Sequence, residues 1–152
     1  MPCNRSRAAV LMREKRLDAL VTSGQANLTY LLDYPTMSSC MSEATVFAVL
    51  PADPAQGPSV VASRNSAAMV AEWAPAVQDV WLWGVYHVAF PEDVDLERLP
   101  DLPRRHAALL RDARPAPTAL DGLREALKAR GLLGGRVGFD EKGLPSPAFL
   151  ER

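Results

Sequence analysis

The chain has 152 residues, a length that fits one domain and leaves little room for two independent cores. Its apolar fraction of 48% excludes wholesale disorder. With 17 basic and 18 acidic side chains, the net charge of -1 removes any global reason to expect a nucleic-acid or membrane partner.

Two cysteines, Cys3 and Cys40, belong to no C-x-x-C pair and cannot build a disulfide framework. They read as free thiols in a reducing compartment. No stretch approaches the roughly 20 apolar residues needed to cross a bilayer. Met1 to Lys15 is charged throughout and lacks the apolar centre of a signal peptide. The expectation is a cytoplasmic protein.

The first predicted element is a helix capped by Ser6 and running to about Arg16, with Ala8, Leu11 and Met12 facing inward. Leu17 to Thr22 is a short apolar run, read as a buried strand. Ser23 is the next predicted cap, and Leu28, Leu31 and Leu32 share one face of the helix behind it. Asp33-Tyr34-Pro35 stops that helix, because a residue before proline avoids helical geometry. Pro35 to Glu43 is small, polar and sulfur-bearing, and reads as a loop.

Ala44 to Leu50 is the clearest strand pattern in the chain. Pro51 to Pro58 makes a turn, and Ser59 to Ala62 returns as the hairpin partner. The turn is too short for a parallel crossover, which needs about a dozen residues. Ser63, Asn65 or Ser66 caps a helix through Ala67, Met69, Val70 and Trp73, which Pro75 ends. Val77 to Leu82 is a further strand. Trp81 and Trp83 stand two apart and point to one face, with Val80 and Leu82 on the other.

Five of the 13 prolines fall between Pro91 and Pro117, so this stretch reads as an irregular excursion from the core. Within it, the mixed charges of Arg104, Arg105, Arg111, Asp112 and Arg114 read as a solvated helix face, with His106 solvated among them. Leu120, Leu123, Ala126, Leu127 and Ala129 mark an amphipathic helix from Ala119 to Arg130, closed by Gly131. Gly135 to Asp140 is a last strand. Pro145 to Leu150 begins another helix that the sequence cuts short, which predicts a chain continuing beyond Arg152. The alternation of helices and strands predicts an α/β fold: a three-layer-like mixed sheet of about five strands flanked by helices.

Little catalytic chemistry is present. His87 and His106 are the only histidines, and neither sits in an H-E-x-x-H spacing. A zinc site would need ligands from scattered loops. There is no G-x-S-x-G elbow for a serine nucleophile, and Cys40 has no local base. The glycines from Gly131 to Gly138 precede a strand instead of following one, so the dinucleotide fingerprint is absent, as is a phosphate loop. His87 reads either as a half-buried strand-end histidine or as a side chain presented to a ligand where the strand exits.

Met12 to Ser23, a helix leading into a strand that ends Thr22-Ser23, resembles the opening of creatinase/prolidase-type proteins. Ser23, Asn27, Tyr30, Leu31 and Tyr34 follow an S-x-x-N-x-x-Y-L-x-x-Y/F pattern similar to that family's. Val137-Gly138-Phe139-Asp140, then Leu144-Pro145 and Phe149-Leu150, resembles the end of the same domain. Two positions depart from the pattern. Arg16 and Asp33 stand where the family usually has glycine. A non-glycine residue at Arg16 would cost up to ~1 kcal/mol if the backbone there is left-handed.

The resemblance implies a ribonuclease H-like N-terminal accessory domain spanning 1–152. The family's catalytic C-terminal "pita-bread" domain holds a metal pair through two Asp, one His and two Glu. None of those motifs is in this chain, so the resemblance carries over no catalytic or metal residue. It implies that Met37, Ser42 and Glu43, in the loop after Tyr34, line a substrate, and His87 joins them as the histidine presented at a strand exit. It implies a parent that hydrolyses a C–N bond, as a proline dipeptidase, Xaa-Pro aminopeptidase or creatinase-like amidinohydrolase acting on short peptides or an amidino compound. The parent would use two divalent metals (Mn, Co or Zn), and this chain would hold no cofactor itself. Expected partners are the chain's own C-terminal catalytic domain and a second subunit, with no nucleic acid or membrane. The alternative is a stand-alone α/β domain that binds a small ligand or a partner without catalysis.

Overall fold

A computed structural model describes residues 3–33, 46–74, 77–85 and 90–140. In chain order the elements are α1 (Arg5–Glu14), β1 (Ala19–Thr22), α2 (Gln25–Leu32), β2 (Phe47–Pro51), β3 (Ser59–Ser63), α3 (Ala67–Trp73), β4 (Asp79–Trp83), α4 (Asp101–Asp112), β5 (Arg114–Ala116), α5 (Ala119–Ala129) and β6 (Val137–Phe139). The six strands form one sheet in the order β5-β4-β3-β2-β1-β6. Only β2 runs antiparallel to its neighbours, pairing β1 with Val21 opposite Val49 and β3 with Ala48 opposite Val60. The expected hairpin is β2–β3, and the fold is the expected mixed α/β sheet covered by helices.

The period-2 alternation of each strand divides the core in two. On one face Leu20, Ala48, Leu50, Val60, Ala62 and Leu82 pack beneath α1 to α4, with Met12, Leu28 and Val70 descending from the helices. On the other face Val21, Phe47, Val49, Val61 and Trp81 pack against Leu123 and Ala126 of α5. Trp81 and Trp83 share the α5 face, and Val80 and Leu82 the opposite one, as their spacing predicts. α5 sits close because Gly122 faces the sheet: a Cβ there would come within 2.7 Å of Val61 Cγ1. Burying apolar area at roughly 25 cal/mol per Å² drives both layers together.

The proline-rich stretch corrects the reading of an irregular excursion. It contains α4 and a sixth strand, β5. Pro100 is the N-cap of α4 and Pro103 falls in its first turn, where backbone N–H groups have no helical acceptor to lose. Leu109, Leu110 and Ala113 then pack against the core. β5 carries Pro115 but lies at the sheet edge, where a missing N–H is tolerated. His106 is buried instead of solvated, with Phe90 edge-on at 5.3 Å between ring centroids. Burial pushes its pKa below the usual histidine value.

The caps also differ by a residue or two. Asn4, not Ser6, caps α1 and accepts from Arg7 N at 2.9 Å. Gly24, not Ser23, is the N-cap of α2. Arg16 and Asp33 both adopt left-handed backbone, with φ of 55° and 60°. The two positions where glycine was expected thus do require the glycine-like conformation. The predicted helix Pro145 to Leu150 lies outside the described residues.

Candidate functional site

Met37, Ser42, Glu43 and His87 all lie outside the described residues. What the structure does assemble is the polar junction where β1 and β6 end side by side. These strands are parallel, with Val21 opposite Phe139, so Asp140 emerges beside Thr22. Its carboxylate accepts from Thr22 Oγ1 at 2.5 Å, from Ser23 N at 3.1 Å, from Gly24 N at 2.9 Å and from Asn27 Nδ2 at 2.8 Å. Gly24 permits this approach: a Cβ there would sit 3.0 Å from Asp140 Oδ2.

Partial burial by itself pushes the Asp140 carboxyl upward. The hydrogen bonds from Asn27, Thr22, Gly24 and Ser23 together outweigh it and hold the pKa below the usual aspartate range. The ionised carboxylate also lies just ahead of α2, where the helix dipole favours negative charge. Thr22 and Ser23 close the first resemblance stretch, Asn27 belongs to the second and Gly24 lies between them, while the acceptor comes from the last, more than 110 positions away in sequence. Asp140 was legible as part of the Val-Gly-Phe-Asp motif. Its role as acceptor for the β1–α2 turn was not, because no local pattern pairs the two ends of the chain.

A second polar cluster occupies the opposite edge of the sheet, at the starts of β3 and β4. Arg130, just past α5, is almost fully buried and donates to Asp79 at 2.5 Å and to Gln56 Oε1 at 3.2 Å. Arg114 of β5 lies 3.7 Å from Asp79 and stacks 4.8 Å over the Trp81 ring. A cleft of 390 Å³ opens beside Gln78, Asp79, Arg114 and Arg130. This partly buried pair anchors the end of α5 to the sheet. Reading the sequence did not single out Asp79 or Arg130, since neither sits in a periodic or motif position.

Among the described residues no group of three or more His, Cys, Asp or Glu side chains gathers to hold a metal. No described helix is long and apolar enough to cross a membrane. The Asp140 carboxylate is engaged by four donors, which suits it to hold a turn and leaves it poorly placed to move a proton.

No protein-family model matches the chain. No curated protein matches it either. Solved structures with a similar arrangement include a proline dipeptidase from Streptococcus pneumoniae TIGR4, at 14% identity and a TM-score of 0.39, covering 86% of this chain and 98% of that one. A Creatine_N superfamily domain of a dipeptidase from Streptococcus thermophilus aligns at 10% identity and a TM-score of 0.38, covering 81% and 96%. An aminopeptidase P (Xaa-Pro aminopeptidase) from Streptococcus thermophilus aligns at 11% identity and 0.37, covering 78% and 94%. At such identities and scores no function is read from these neighbours.

Proposed function

We propose that this chain is the creatinase/prolidase-type N-terminal accessory domain of a hydrolase that cleaves C–N bonds. The observation that supports this reading is the Asp140 junction. The stretches that carry the sequence resemblance, Thr22-Ser23 with Asn27 and Val137 to Asp140, meet there in one hydrogen-bonded network. Residues quoted as separate motifs thus act as one structural unit, as expected if both belong to the same inherited domain.

In this reading the domain is cytoplasmic, packs on its own C-terminal catalytic domain and associates with a second subunit. The loop bearing Met37, Ser42 and Glu43, together with His87, lines the entrance for a short peptide or an amidino compound. The metal pair (Mn, Co or Zn) belongs to the catalytic domain. The described residues here offer no fitting donor set.

The test is to read the coding sequence past Arg152 and to assay the purified chain. A following domain with two Asp, one His and two Glu in family order, and no hydrolysis of Xaa-Pro dipeptides by this chain with added manganese or cobalt, support the proposal. A stop codon at that point, or robust peptidase activity from the pure chain, sinks it.

The second reading, a stand-alone binding domain, draws on the 370 Å³ apolar cleft between α1 and α2. A stop codon after Arg152 would favour it.

A further inference from the structure

The cleft between α1 and α2 is lined by apolar Ala8, Leu11, Leu17, Leu20 and Tyr30, with Arg7 and Lys15 beside them. Leu11 is 46% exposed and Tyr30 53%. α1 and the turn after it hold Arg5, Arg7, Arg13, Lys15 and Arg16 against the single acid Glu14. Arg7, Arg13, Lys15 and Arg16 are exposed and make no ion pair among the described residues.

The chain also carries the chemical complement. The segment from Pro91 to Leu102 holds Glu92, Asp93, Asp95, Glu97 and Asp101 against the single base Arg98, interleaved with Val94, Leu96, Leu99 and Leu102. Asp95 pairs with Arg98, and Asp101 with Arg104 and Arg105. Glu92, Asp93 and Glu97 are exposed and make no ion pair among the described residues. A net charge of -1 therefore hides two oppositely charged surfaces, each with apolar side chains among its charges.

Within one molecule the exposed charges of the two surfaces form no ion pair with each other among the described residues. The start of α1 is tied to the strand-start edge of the sheet, where Arg5 donates to Gln56 O. α4 ends at that same edge, where Asp112 lies by Asp79 and Arg114. Its 12 residues carry Asp101 back toward the other edge, about 18 Å away at 1.5 Å per residue.

We infer that the α1–α2 cleft receives the acidic Pro91–Leu102 segment of a second copy of this chain. The exposed Leu102 and the partly exposed Val94, Leu96 and Leu99 present the segment's apolar atoms to the cleft, and its carboxylates meet Arg7 and Lys15 there. Charges at an interface of this kind set orientation and association rate, and make binding weaken with salt. This deepens the self-association within the proposed function and rests on that part of it alone.

Sedimentation of the purified chain against concentration, at low and high ionic strength, tests it. The wild type is expected to associate, more weakly in high salt. Arg7→Glu/Lys15→Glu and, separately, Glu92→Lys/Glu97→Lys are each expected to raise the dimer Kd by about tenfold or more. All four positions are exposed, and circular dichroism checks the fold. An equimolar mixture of the two double variants is expected to associate again, since each groove then faces a segment of opposite sign, a rescue unfolded variants cannot give. A wild type that dimerises with a Kd unmoved by either double variant overturns the surface while leaving self-association standing. A wild type that is monomeric throughout overturns both, and one that instead sediments with anionic vesicles assigns the basic cleft to a membrane surface and overturns the proposal. The hydrolase reading is decided separately by the coding sequence past Arg152.

Discussion

Replacing Asp140 by alanine removes the acceptor that Thr22 Oγ1, Ser23 N, Gly24 N and Asn27 Nδ2 share. Two of these donors are backbone N–H groups at the mouth of α2, with no alternative acceptor supplied by the helix. A hydrogen bond to a charged group contributes about 1.5–3 kcal/mol, but the four are not additive and water reaches a partly exposed site. The working figure is therefore about 2–3 kcal/mol for Asp140→Ala. Asp140→Asn keeps one acceptor oxygen and loses the charge, at about 1–2 kcal/mol. The folded carboxyl titrates below its unfolded value. Its stabilisation is thus fully present above the unfolded pKa of about 3.9 and is lost as pH falls through the lower folded pKa. Urea unfolding at neutral pH should show the midpoint falling with the slope unchanged. Repeated in acid, the curves of wild type and Asp140→Asn should converge. An alanine variant within about 0.5 kcal/mol of wild type at neutral pH, the scatter of ordinary surface substitutions, would refute the reasoning. So would a gap between wild type and Asp140→Asn that acid does not narrow.

Gly122→Ala places a Cβ 2.7 Å from Val61 Cγ1 and 3.3 Å from Ala116 Cβ, so α5 must lift off the sheet. Overpacking of this kind costs about 1–3 kcal/mol, offset in part by alanine's better helix propensity, and the expected net loss of about 1–2 kcal/mol is read by thermal unfolding. Arg16→Gly acts in the other direction, relieving left-handed backbone at φ 55°. The relief is partly cancelled by glycine's entropy, leaving a gain of about 0.5–1 kcal/mol, measured as a higher melting temperature. A Gly122→Ala variant as stable as wild type, or an Arg16→Gly variant less stable than it, contradicts the respective geometry.

Much of the fold was legible because local chemistry and global packing agree. The apolar run Ala44 to Leu50, the turn rich in Pro and Gly, and Ser59 to Ala62 specify a hairpin with no help from the rest of the chain. Trp81 and Trp83 on one face, with Val80 and Leu82 on the other, follow from the two-residue period of a strand alone. Gly131 ends α5 because a left-handed residue is needed there, and its φ is 68°. Even the left-handed backbone at Arg16 was visible as a departure from an expected glycine.

The rest needed the tertiary structure, for three physical reasons. β5 has three residues, one of them a proline, and exists because β4 offers it an edge. His106 is buried by neighbours that its own charged surroundings, Arg104 and Arg105, do not announce. The Asp140 junction and the Asp79–Arg130 pair each join residues 50 or more positions apart. The sequence by itself determined most of the helices and strands outside the proline-rich stretch and which of their faces are apolar, because those depend on periods of two and 3.6 residues. Only the folded sheet decided which polar side chains meet, because strand order brings together groups that no local period relates.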